Sequence, residues 1–459
     1  MKLVTIQQLI GILDAACRGL EASLPAPELE NLAVMIHKLM TVQARYYHSL
    51  SHVYHLAAQA NPVQSLAAVF HDLVYYQVDA GFAPNIRAII SPYLHEQDSK
   101  ITLVEAVSQD DRLFWLTVET FGFKTGQRLL PSAGLNEFLS ALVMNKRLER
   151  IVPEKGLLQA TACIEATRPF RGKEAGAFPL LEERVRHCNT LYQLGMTETD
   201  IEQTMQWAVA FANKDVDSFA EQDPIAYLDG TWLLLPETNY ALRAGTAYSI
   251  REYRQALQQM ARFLESLDAE QIFHRYRQVP SEDELRQRVS LAHRNLLIAH
   301  EYLSAKLVAS AVLEALADIT GGSAPVSLFA GDITKDDEAK RVEDFLPDIQ
   351  ADASVDTLSA VFKLLDCGRA SESSFDRKDS PTSLFLYKGL GPDRINQLLA
   401  NAYEMFDGKL TAQDFLDKIN DPIVAAIAQA CAAMVPTRSE ALRQYAQTRA
   451  AGIRRSSGV

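Results

Sequence analysis

The stretch VPSEDELRQRVSLAHRNLLIAHEYLSAKLV, from Val279 to Val308, has the pattern of one long helix. Proline, serine and acidic residues stand at its beginning, where they favour the start of a helix. TETDIEQTMQWAVAFA, from Thr197 to Ala212, begins in a similar way. Apolar residues recur at i, i+3, i+4 and i+7 in three further segments: Ile6, Leu9, Ile10 and Leu13; Leu32, Met35, Ile36 and Leu39; and Leu135, Phe138, Leu139 and Leu142. Because alternating strand patterns are nearly absent, the sequence predicts an all-α fold.

The composition is that of an ordinary globular protein. The 459 residues are 48% hydrophobic and 22% charged, which is enough chain for two or three domains. A formal net charge of -13 opposes binding to duplex nucleic acid or to an anionic membrane, since both depend on clustered Lys and Arg. We therefore expect a small molecule or a protein as the partner, with no nucleic acid duplex and no membrane. Assembly into a homo-oligomer stays open.

The cysteines and the apolar runs indicate a reducing compartment. The five cysteines are scattered and form no CxxC pair, which argues against a disulfide framework and against a thiolate zinc site. We expect them to be small buried hydrophobic residues: Cys17, Cys163, Cys188, Cys367 and Cys431. No run of 18 apolar residues exists, and the N-terminal segment is amphipathic. The sequence therefore predicts neither a membrane span nor a signal peptide. It predicts a cytoplasmic protein.

A domain boundary is predicted after the long helix. Gly, Pro and Ser cluster in DITGGSAPVSLFAGDITKDDEAKRVED, from Asp318 to Asp344, as they do in loops. Acidic residues dominate the following segment, which is typical of a solvated surface. We predict a large helical domain over residues 1–317, an acidic linker over 318–352 and a smaller helical domain over 353–459.

Two neighbouring segments carry residues that bind metals. RYYHSLSHVYHL, from Arg45 to Leu56, contains three histidines that would lie on one face of a helix: His48, His52 and His55. Imidazole nitrogens together with a carboxylate suit first-row divalent ions. The carboxylate is expected from the next segment along the chain.

That segment, PVQSLAAVFHDLVYYQ, runs from Pro62 to Gln77 and is predicted to be a second helix. It carries the adjacent pair His71 and Asp72 between apolar residues, so this polar pair is expected to be buried. A buried carboxylate without a partner is costly, which favours a paired or metal-bound state.

These segments carry a resemblance. YHSLSHVYHL followed by AAVFHDLVYY resembles the opening of the HD superfamily, and specifically the bacterial predicted metal-dependent HD phosphohydrolases, whose pattern runs RxYHxxxHI, then WFHDxVY, then LDxDLxxLG. The resemblance implies that His52 is a metal ligand and that His71 and Asp72 are the HD pair. The segment YHSLSHVYHL is also similar to the opening of the cyclic nucleotide phosphodiesterases. In those enzymes, the histidine that matches His48 protonates the leaving oxygen. His55 has no counterpart, so we expect it to support a ligand or to lie in the core.

The resemblance resumes downstream and covers roughly residues 40 to 300. YLDGTWLLLPETNYALRAGTAYSIREYRQAL, from Tyr227 to Leu257, is similar to the LDxDLxxLG segment and to a later IRxEY. This match implies that Asp229 is the distal metal ligand and that Arg251 contacts the substrate. AHRNLL, from Ala292 to Leu297, resembles the closing ARxNL of the group.

The chain departs from the pattern at the distal aspartate. Thr231 stands where LDxDL has its second aspartate. If that second aspartate is the ligand, another carboxylate has to replace it. The candidates are Asp229, Asp215, Asp217 and Asp223.

Two further departures concern the chain after the HD pair. The acidic NExxS element of the group does not follow it, since the chain continues YYQVDAGFAPNIRAII. The interval between Asp72 and Asp229 is also longer than in the group. It implies a large helical insertion at about residues 95–200, which could cover the site or offer a surface to a partner.

The resemblance predicts a phosphohydrolase that acts on a small phosphorylated molecule such as a nucleotide. A divalent metal (Fe, Mn, Zn or Mg) would be held by His52, His71, Asp72 and Asp229, and it would make a bound hydroxide available. His48 would act as general acid. Three cations are candidate phosphate contacts: Arg45, Lys214 and Arg251. Two alternatives stay open, namely a di-iron oxygenase of the HD type and a degenerate, non-catalytic HD-like scaffold for protein interaction.

Overall fold

The chain folds as two compact units in a computed structural model that describes residues 6–168, 176–331 and 341–456. Unit 1 consists of Met1–Ala220 together with Asp268–Ala292. Unit 2 consists of Glu221–Leu267 together with His293–Val459.

Unit 1 is built almost entirely from helices. In chain order they are α1 (Ile6–Gly19), α2 (Ala26–Met40), α3 (Leu50–Ala57), α4 (Pro62–Phe70), α5 (Pro84–Ile90), α6 (Arg112–Phe121), α7 (Leu135–Arg147), α8 (Glu154–Ala166), α9 (Ala177–Tyr192), α10 (Glu198–Asp215) and, after an excursion of the chain, α14 (Ala269–Ile272). The predicted helical patterns around Ile6, Leu32, Leu135 and Thr197 fall in α1, α2, α7 and α10. In α10 the start signal is a capping box between Thr197 and Asp200.

Three short antiparallel strands in the order β1-β2-β3 accompany these helices. They are β1 (Leu94–Gln97), β2 (Lys100–Leu103) and β3 (Arg128–Leu129). Asp98 and Ser99 join β1 to β2, and both have positive φ, as a two-residue hairpin turn of the favoured kind requires. Strands of two to four residues are too short to give an alternating pattern. The prediction of an all-α protein is confirmed, with this small sheet as an addition.

The helices of the predicted insertion belong to the core of unit 1. Helix α8 packs against α4, α7, α9 and α10. It is buried on all sides from Gly156 to Ala166. Its apolar residues and those of α6 and α7 form one cluster with the buried residues of α1 to α4. Residues from about 95 to 200, insofar as the structure describes them, are therefore not a separate layer over the first helices.

Unit 2 is also helical. Its helices are α11 (Pro224–Trp232), α12 (Leu234–Thr238), α13 (Ile250–Glu265), α15 (Glu282–Ile319, which begins in unit 1), α16 (Val326–Ala330), α17 (Ala360–Cys367), α18 (Pro381–Phe406), α19 (Ala412–Leu416), α20 (Asp421–Met434) and α21 (Ser439–Ser456). Helix α18 is kinked at Gly391, whose φ of 75° is readily adopted only by glycine, and Pro392 follows it.

Helix α15 is the long helix that the opening stretch of sequence predicts. It is long and apolar enough to cross a membrane, although 72% of its apolar window is buried inside the protein. The core helix of a globular protein passes the same test, so this feature is weak evidence for a membrane.

The cysteine predictions are confirmed with one exception. Cys17, Cys163, Cys188 and Cys431 are buried free thiols, whereas Cys367 is exposed at the end of α17. The expectation that all five are buried was therefore wrong for Cys367.

The bounds of the two units differ from the predicted domain bounds at 317 and 353. The units follow packing, and α15 supplies residues to both of them. Part of the predicted linker, residues 332–340, lies outside the described residues. The division into an HD-like domain, a linker and a C-terminal domain stays a prediction.

The segment from Asp268 to Ala292 is fixed to the rest of unit 1 by a buried glutamate. Glu182 on α9 receives two hydrogen bonds from the guanidinium of Arg277, at 2.6 and 3.0 Å, and one from the Tyr276 hydroxyl at 2.8 Å. Arg186 adds a fourth at 2.9 Å. The hydrogen bonds of Arg277 are the main cause that lowers the pKa of Glu182 to about 2. The carboxylate form is therefore strongly preferred in the folded chain.

We expect Glu182→Gln to destabilise the protein by about 1–2 kcal/mol at pH 7, because it removes charge-assisted hydrogen bonds. The effect is modest because Arg277 is partly exposed, and water weakens its attraction to the carboxylate. The lowered pKa of Glu182 means that this stabilisation is present above pH 4.5 and is lost as the pH falls toward 2. Denaturant unfolding of both proteins at pH 7 and at pH 3 measures it. A difference between the two proteins that does not shrink toward low pH would contradict the assignment.

Candidate metal centre

His52 lies in the first turn of α3, which begins at Leu50 after an extended Ser49. His48 precedes the helix, so the prediction of three imidazoles in a row on one helix was wrong. The rings of His48 and His52 are nevertheless close, with centroids 6.2 Å apart. Proximity of these two histidines thus comes from a bend in the chain and not from helical spacing.

His71 and Asp72 do not lie inside a helix as predicted, because α4 ends at Phe70. The backbone groups that would have continued α4 are bound by other parts of unit 1. The amide of Val74 donates to the Ser140 hydroxyl at 3.0 Å, and Arg45 donates to the Asp72 carbonyl at 2.7 Å. These bonds replace the helical ones, so the pair is held in a turn.

Asp215 is the residue that completes this group. It is the last residue of α10. Its Oδ1 atom lies 3.0 Å from His52 Nε2 and 3.4 Å from His71 Nε2. Of the four carboxylates that the sequence left as candidates for the distal ligand, Asp215 is the one that the structure places against both histidines.

Three of the side chains, those of His52, His71 and Asp72, bring their ligand atoms together, and Asp215 lies against the two histidines. His71 Nε2 lies 3.4 Å from His52 Nε2, and Asp72 Oδ2 lies 2.9 and 3.9 Å from the same two nitrogens. His52, His71 and Asp72 each offer a ligand atom within 4.8 Å of the others. Bonds of about 2.1 Å to one metal ion place neighbouring ligand atoms roughly 3 to 4 Å apart. The residues present therefore fit a divalent cation.

Two details of the geometry describe how His71 meets its neighbours. The Oδ2 atom of Asp72 is buried and lies 2.9 Å from His71 Nε2, at ion-pair distance when the imidazole is protonated. The other ring nitrogen of His71, Nδ1, lies 3.0 Å from the Ala68 carbonyl. Because a carbonyl only accepts hydrogen bonds, Nδ1 carries the proton and Nε2 is left as the ligand atom, as in most metal-binding histidines.

The electrostatics of the cluster demand positive charge. Burial acts to raise the pKa of Asp215, but hydrogen bonds from His52 and His71 lower it to about 2. Burial likewise acts on Asp72, yet the charge of His71 holds its pKa well below the usual range. Burial acts to lower the pKa of His71, and the charges and hydrogen bonds of the carboxylates raise it well above the ordinary value. The imidazoles and the carboxylates of the cluster thus stabilise each other's charged forms.

The positions of the carboxylates in their helices add to this demand. Asp215 ends α10, and Asp72 follows the end of α4 by two residues. The C-terminal end of a helix carries partial negative charge, which disfavours a carboxylate there. Neither aspartate is placed as helix stability alone would place it.

Arg45 and Lys214, two of the predicted phosphate contacts, bind backbone and side-chain groups around the site. The guanidinium of Arg45 is fully buried and binds Asp79 at 2.7 and 2.8 Å in addition to the Asp72 carbonyl. The ammonium of Lys214 donates to the carbonyls of Leu56 and Ala58 at the end of α3. Arg45 thereby positions the turn that contains His71 and Asp72, which we call the HD turn. Lys214 holds the end of α10 against α3.

His48 and His55 occupy different surroundings. The ring of His48 packs edge-on against Tyr75, with centroids 4.6 Å apart, and its charge contributes to the low pKa of Asp72. His55 is 55% exposed and lies 3.2 Å from Asp217. His55 therefore does not lie in the core, as one of the two expectations had it. The other expectation, that His55 supports a ligand, stays a prediction.

The other residues that the sequence singled out lie in unit 2. Asp229 accepts hydrogen bonds from the backbone and the hydroxyl of Ser371, at 3.2 and 2.9 Å. Arg251 is half-exposed and binds Glu314. Thr231 donates to the Tyr227 carbonyl within α11, and Asp223 caps the start of that helix. The role of Asp229 as ligand and that of Arg251 as substrate contact stay predictions.

An NExxS sequence is present after all. NEFLS, from Asn136 to Ser140, stands on α7, and both its first and its last residue bind the turn that follows Asp72. NEFLS does not directly follow the HD pair, so the expectation that the element is missing there stays a prediction. Asp215-Val216-Asp217 likewise has the D-x-D spacing of LDxDLxxLG, which was the available signal for the distal carboxylate.

Comparisons with protein-family models, with curated proteins and with solved structures found no match for this chain. The arrangement of His52, His71, Asp72 and Asp215 is therefore interpreted from its own geometry.

We expect Arg45→Ala to destabilise the protein by about 3–5 kcal/mol, because it leaves Asp79 without its buried partner and frees the HD turn. The matched control, Arg251→Ala, removes a half-exposed guanidinium and should cost less than about 1 kcal/mol. Denaturant unfolding measures both. Equal, small effects would contradict the positioning role of Arg45.

Proposed function

We propose that the chain is a metal-dependent phosphohydrolase that acts on a small phosphorylated molecule such as a nucleotide. The observation that carries the proposal is the cluster of His52, His71 and Asp72, whose ligand atoms lie within 4.8 Å of one another, with Asp215 Oδ1 at 3.0 and 3.4 Å from the two imidazoles. Two nitrogen and two oxygen donors suit Fe, Mn or Zn, and Mg less well. The resemblance to the HD phosphohydrolases points to the same residues, with Asp215 in place of Asp229.

A divalent ion bound there would supply positive charge for phosphoryl oxygens and a hydroxide at neutral pH. The chain's own residues would do the rest. Asp72 and Asp215 fix the charge, and the Ala68 carbonyl keeps His71 in the ligand tautomer. Arg45 and Lys214 are poorly suited to bind phosphate, because Arg45 donates to the Asp72 carbonyl and Lys214 donates to the Leu56 carbonyl.

His48 is the residue best suited to carry a proton. It stands beside His52 and close enough to Asp72 for their charges to interact, and it is outside the group of converging ligand atoms. A histidine titrates near neutral pH, which suits a general acid that protonates the leaving oxygen. The edge-on contact with Tyr75 fixes the orientation of its ring.

The alternative of a degenerate scaffold loses its main grounds. It rested on the absence of a distal aspartate, on the missing NExxS element and on the insertion. The contact of Asp215 with His52 and the place of α6 to α8 in the core support the phosphohydrolase proposal over the scaffold. A di-iron oxygenase would use the same ligands, and no observation in the described residues favours it.

We expect Asp215→Asn to lower the metal content of the purified protein severely, because it removes one of two buried carboxylates. Asp229→Asn is the matched control and should leave the metal content unchanged. Elemental analysis of the two variants and of the wild type, each also after reconstitution with Mn²⁺ or Fe²⁺, decides between the two aspartates. A wild type that takes up no metal would sink the proposal, and metal loss only in Asp229→Asn would restore the sequence-based assignment.

We expect His48→Ala to lower kcat by about 10²–10⁴-fold while the metal content is kept, as loss of a general acid does. Phosphate release from a panel of nucleotides and sugar phosphates identifies the substrate for this comparison. Oxygen consumption without phosphate release by the metal-loaded wild type would favour the oxygenase instead. Loss of metal in His48→Ala would show that His48 is a ligand.

A further inference from the structure

Unit 2 contains a small cavity that the proposed function does not use. Residues of α13, α15, α16 and the first turn of α18 line it, and its volume is about 90 Å³. At the ~30 Å³ that a water molecule occupies in the liquid, this is room for about three waters, or for one group of the size of a phosphate. The polar lining includes Tyr253, Lys306, Asp376, Arg377, Thr382 and Ser383.

Lys306 brings a buried ammonium group to this cavity. Only 6% of its side chain is exposed, and its Nζ atom donates to Asp376 Oδ2 at 3.3 Å and to Ser380 Oγ at 3.2 Å. Both bonds are long for a charged donor, for which roughly 2.8 Å is usual. The Trp232 ring adds a cation–π contact, with its centroid 4.9 Å from Nζ. The ammonium is therefore only weakly hydrogen-bonded, and a further acceptor would bind to it.

The buried charges around Lys306 do not cancel. Asp376 Oδ2 also accepts hydrogen bonds from Arg369 at 3.2 Å and from the Trp232 indole at 2.7 Å. Two cations thus share one carboxylate, and the three charged side chains are at most 12% exposed. Because buried charge is costly unless it is paired, the excess positive charge favours an anion in the cavity.

Arg377 and Asp379 line the cavity as well. Arg377 binds Asp379 at 2.6 and 2.8 Å, and it also pairs with Glu343. The side chains of these two acidic residues are each 30% exposed, so water screens their charge. They therefore oppose an anion less than the nearly dry ammonium of Lys306 attracts it.

The Tyr253 hydroxyl is a donor without an acceptor. Tyr253 is 7% exposed, and its hydroxyl is buried without a hydrogen bond, although Asp376 is near enough for the two charges to interact. Burial raises the pKa of Tyr253 well above its ordinary value, so the hydroxyl keeps its proton. A buried polar group without a partner costs stability, and phenylalanine would fill the same space without that cost.

The start of α18 offers two further donors. Pro381 is the first residue of this helix, and Ser380 before it makes no side-chain cap. Within the part of the chain that the structure describes, the backbone amides of Thr382 and Ser383 have no acceptor. The free amides at the beginning of a helix and the helix dipole both favour an anion.

We propose that this cavity binds a small oxyanion of the size and charge of inorganic phosphate, through the Lys306 ammonium, the Tyr253 hydroxyl and the first amides of α18. The site is independent of the proposed function, because all of its residues belong to unit 2, whereas the metal centre belongs to unit 1.

Titration calorimetry of the full-length protein with inorganic phosphate tests the proposal. The protein is first stripped of metal by a chelator and dialysed, so that no metal ion in unit 1 binds phosphate. At constant ionic strength we expect saturable binding, which sulfate should compete with and chloride at the same concentration should not. Absence of saturable binding, or equal displacement by chloride, would overturn the proposal and leave the metal centre untouched.

Tyr253→Phe removes only the hydroxyl that lacks a partner. We expect the phosphate affinity to fall by roughly 10-fold, because a hydrogen bond to a charged group is lost. The melting temperature without phosphate should stay equal or rise. Tyr387→Phe is the matched control, since its hydroxyl donates to Glu301 and the residue does not line the cavity. It should lower the melting temperature and leave the phosphate affinity unchanged.

Lys306→Met removes the ammonium and keeps an unbranched side chain, so it should abolish phosphate binding. Asp376 retains its hydrogen bonds from Trp232 and Arg369, and a cooperative melting transition checks that the variant folds. If Tyr253→Phe binds phosphate as tightly as the wild type, the proposal is wrong whatever the result for Lys306→Met, because the hydroxyl then does not contact the anion.

Discussion

Two largely buried carboxylates near the C-terminal ends of helices are the constraint on which unit 1 depends. Asp72 and Asp215 lie where helix dipoles and burial both oppose negative charge, and the charges and hydrogen bonds of His52 and His71 compensate for it. Much of the surrounding structure serves to hold them in place. Arg45 holds the HD turn by its carbonyl, and Lys214 holds the end of α10 against α3. The cost of the arrangement is local, and the large apolar core around α8 carries the fold.

The sequence was informative where a residue type and a local pattern decide the structure. Apolar spacing predicted the helices, and the histidines and the HD pair singled out from the sequence include His52, His71 and Asp72, which the structure brings together. The distal ligand was harder to find. An aspartate at the end of an amphipathic helix resembles a surface residue, and Asp215 stands 163 positions from His52. The family pattern directed attention to Asp229, where the match of neighbouring letters was better.

The remaining errors have one physical cause, which is that tertiary hydrogen bonds outweighed local preference. Helix α4 would continue through His71 and Asp72 by propensity, but Ser140, Asn136 and Arg45 bind the backbone groups that continuation requires. Arg45 itself looked like a surface cation, since sequence does not show that Asp79 will meet it in the interior. Such long-range partners are invisible to any pattern of short spacing.

The sequence separation within the site has a consequence for folding. Because the donors come from α3, from the turn after α4 and from the end of α10, an ion bound to all of them closes a loop of 163 residues, and an unfolded chain cannot offer that set. Binding to the native state alone adds about 2.7 kcal/mol of stability at an ion concentration one hundred times the dissociation constant. The free concentration of the ion would thus govern how much of unit 1 is folded as well as how much of it is loaded.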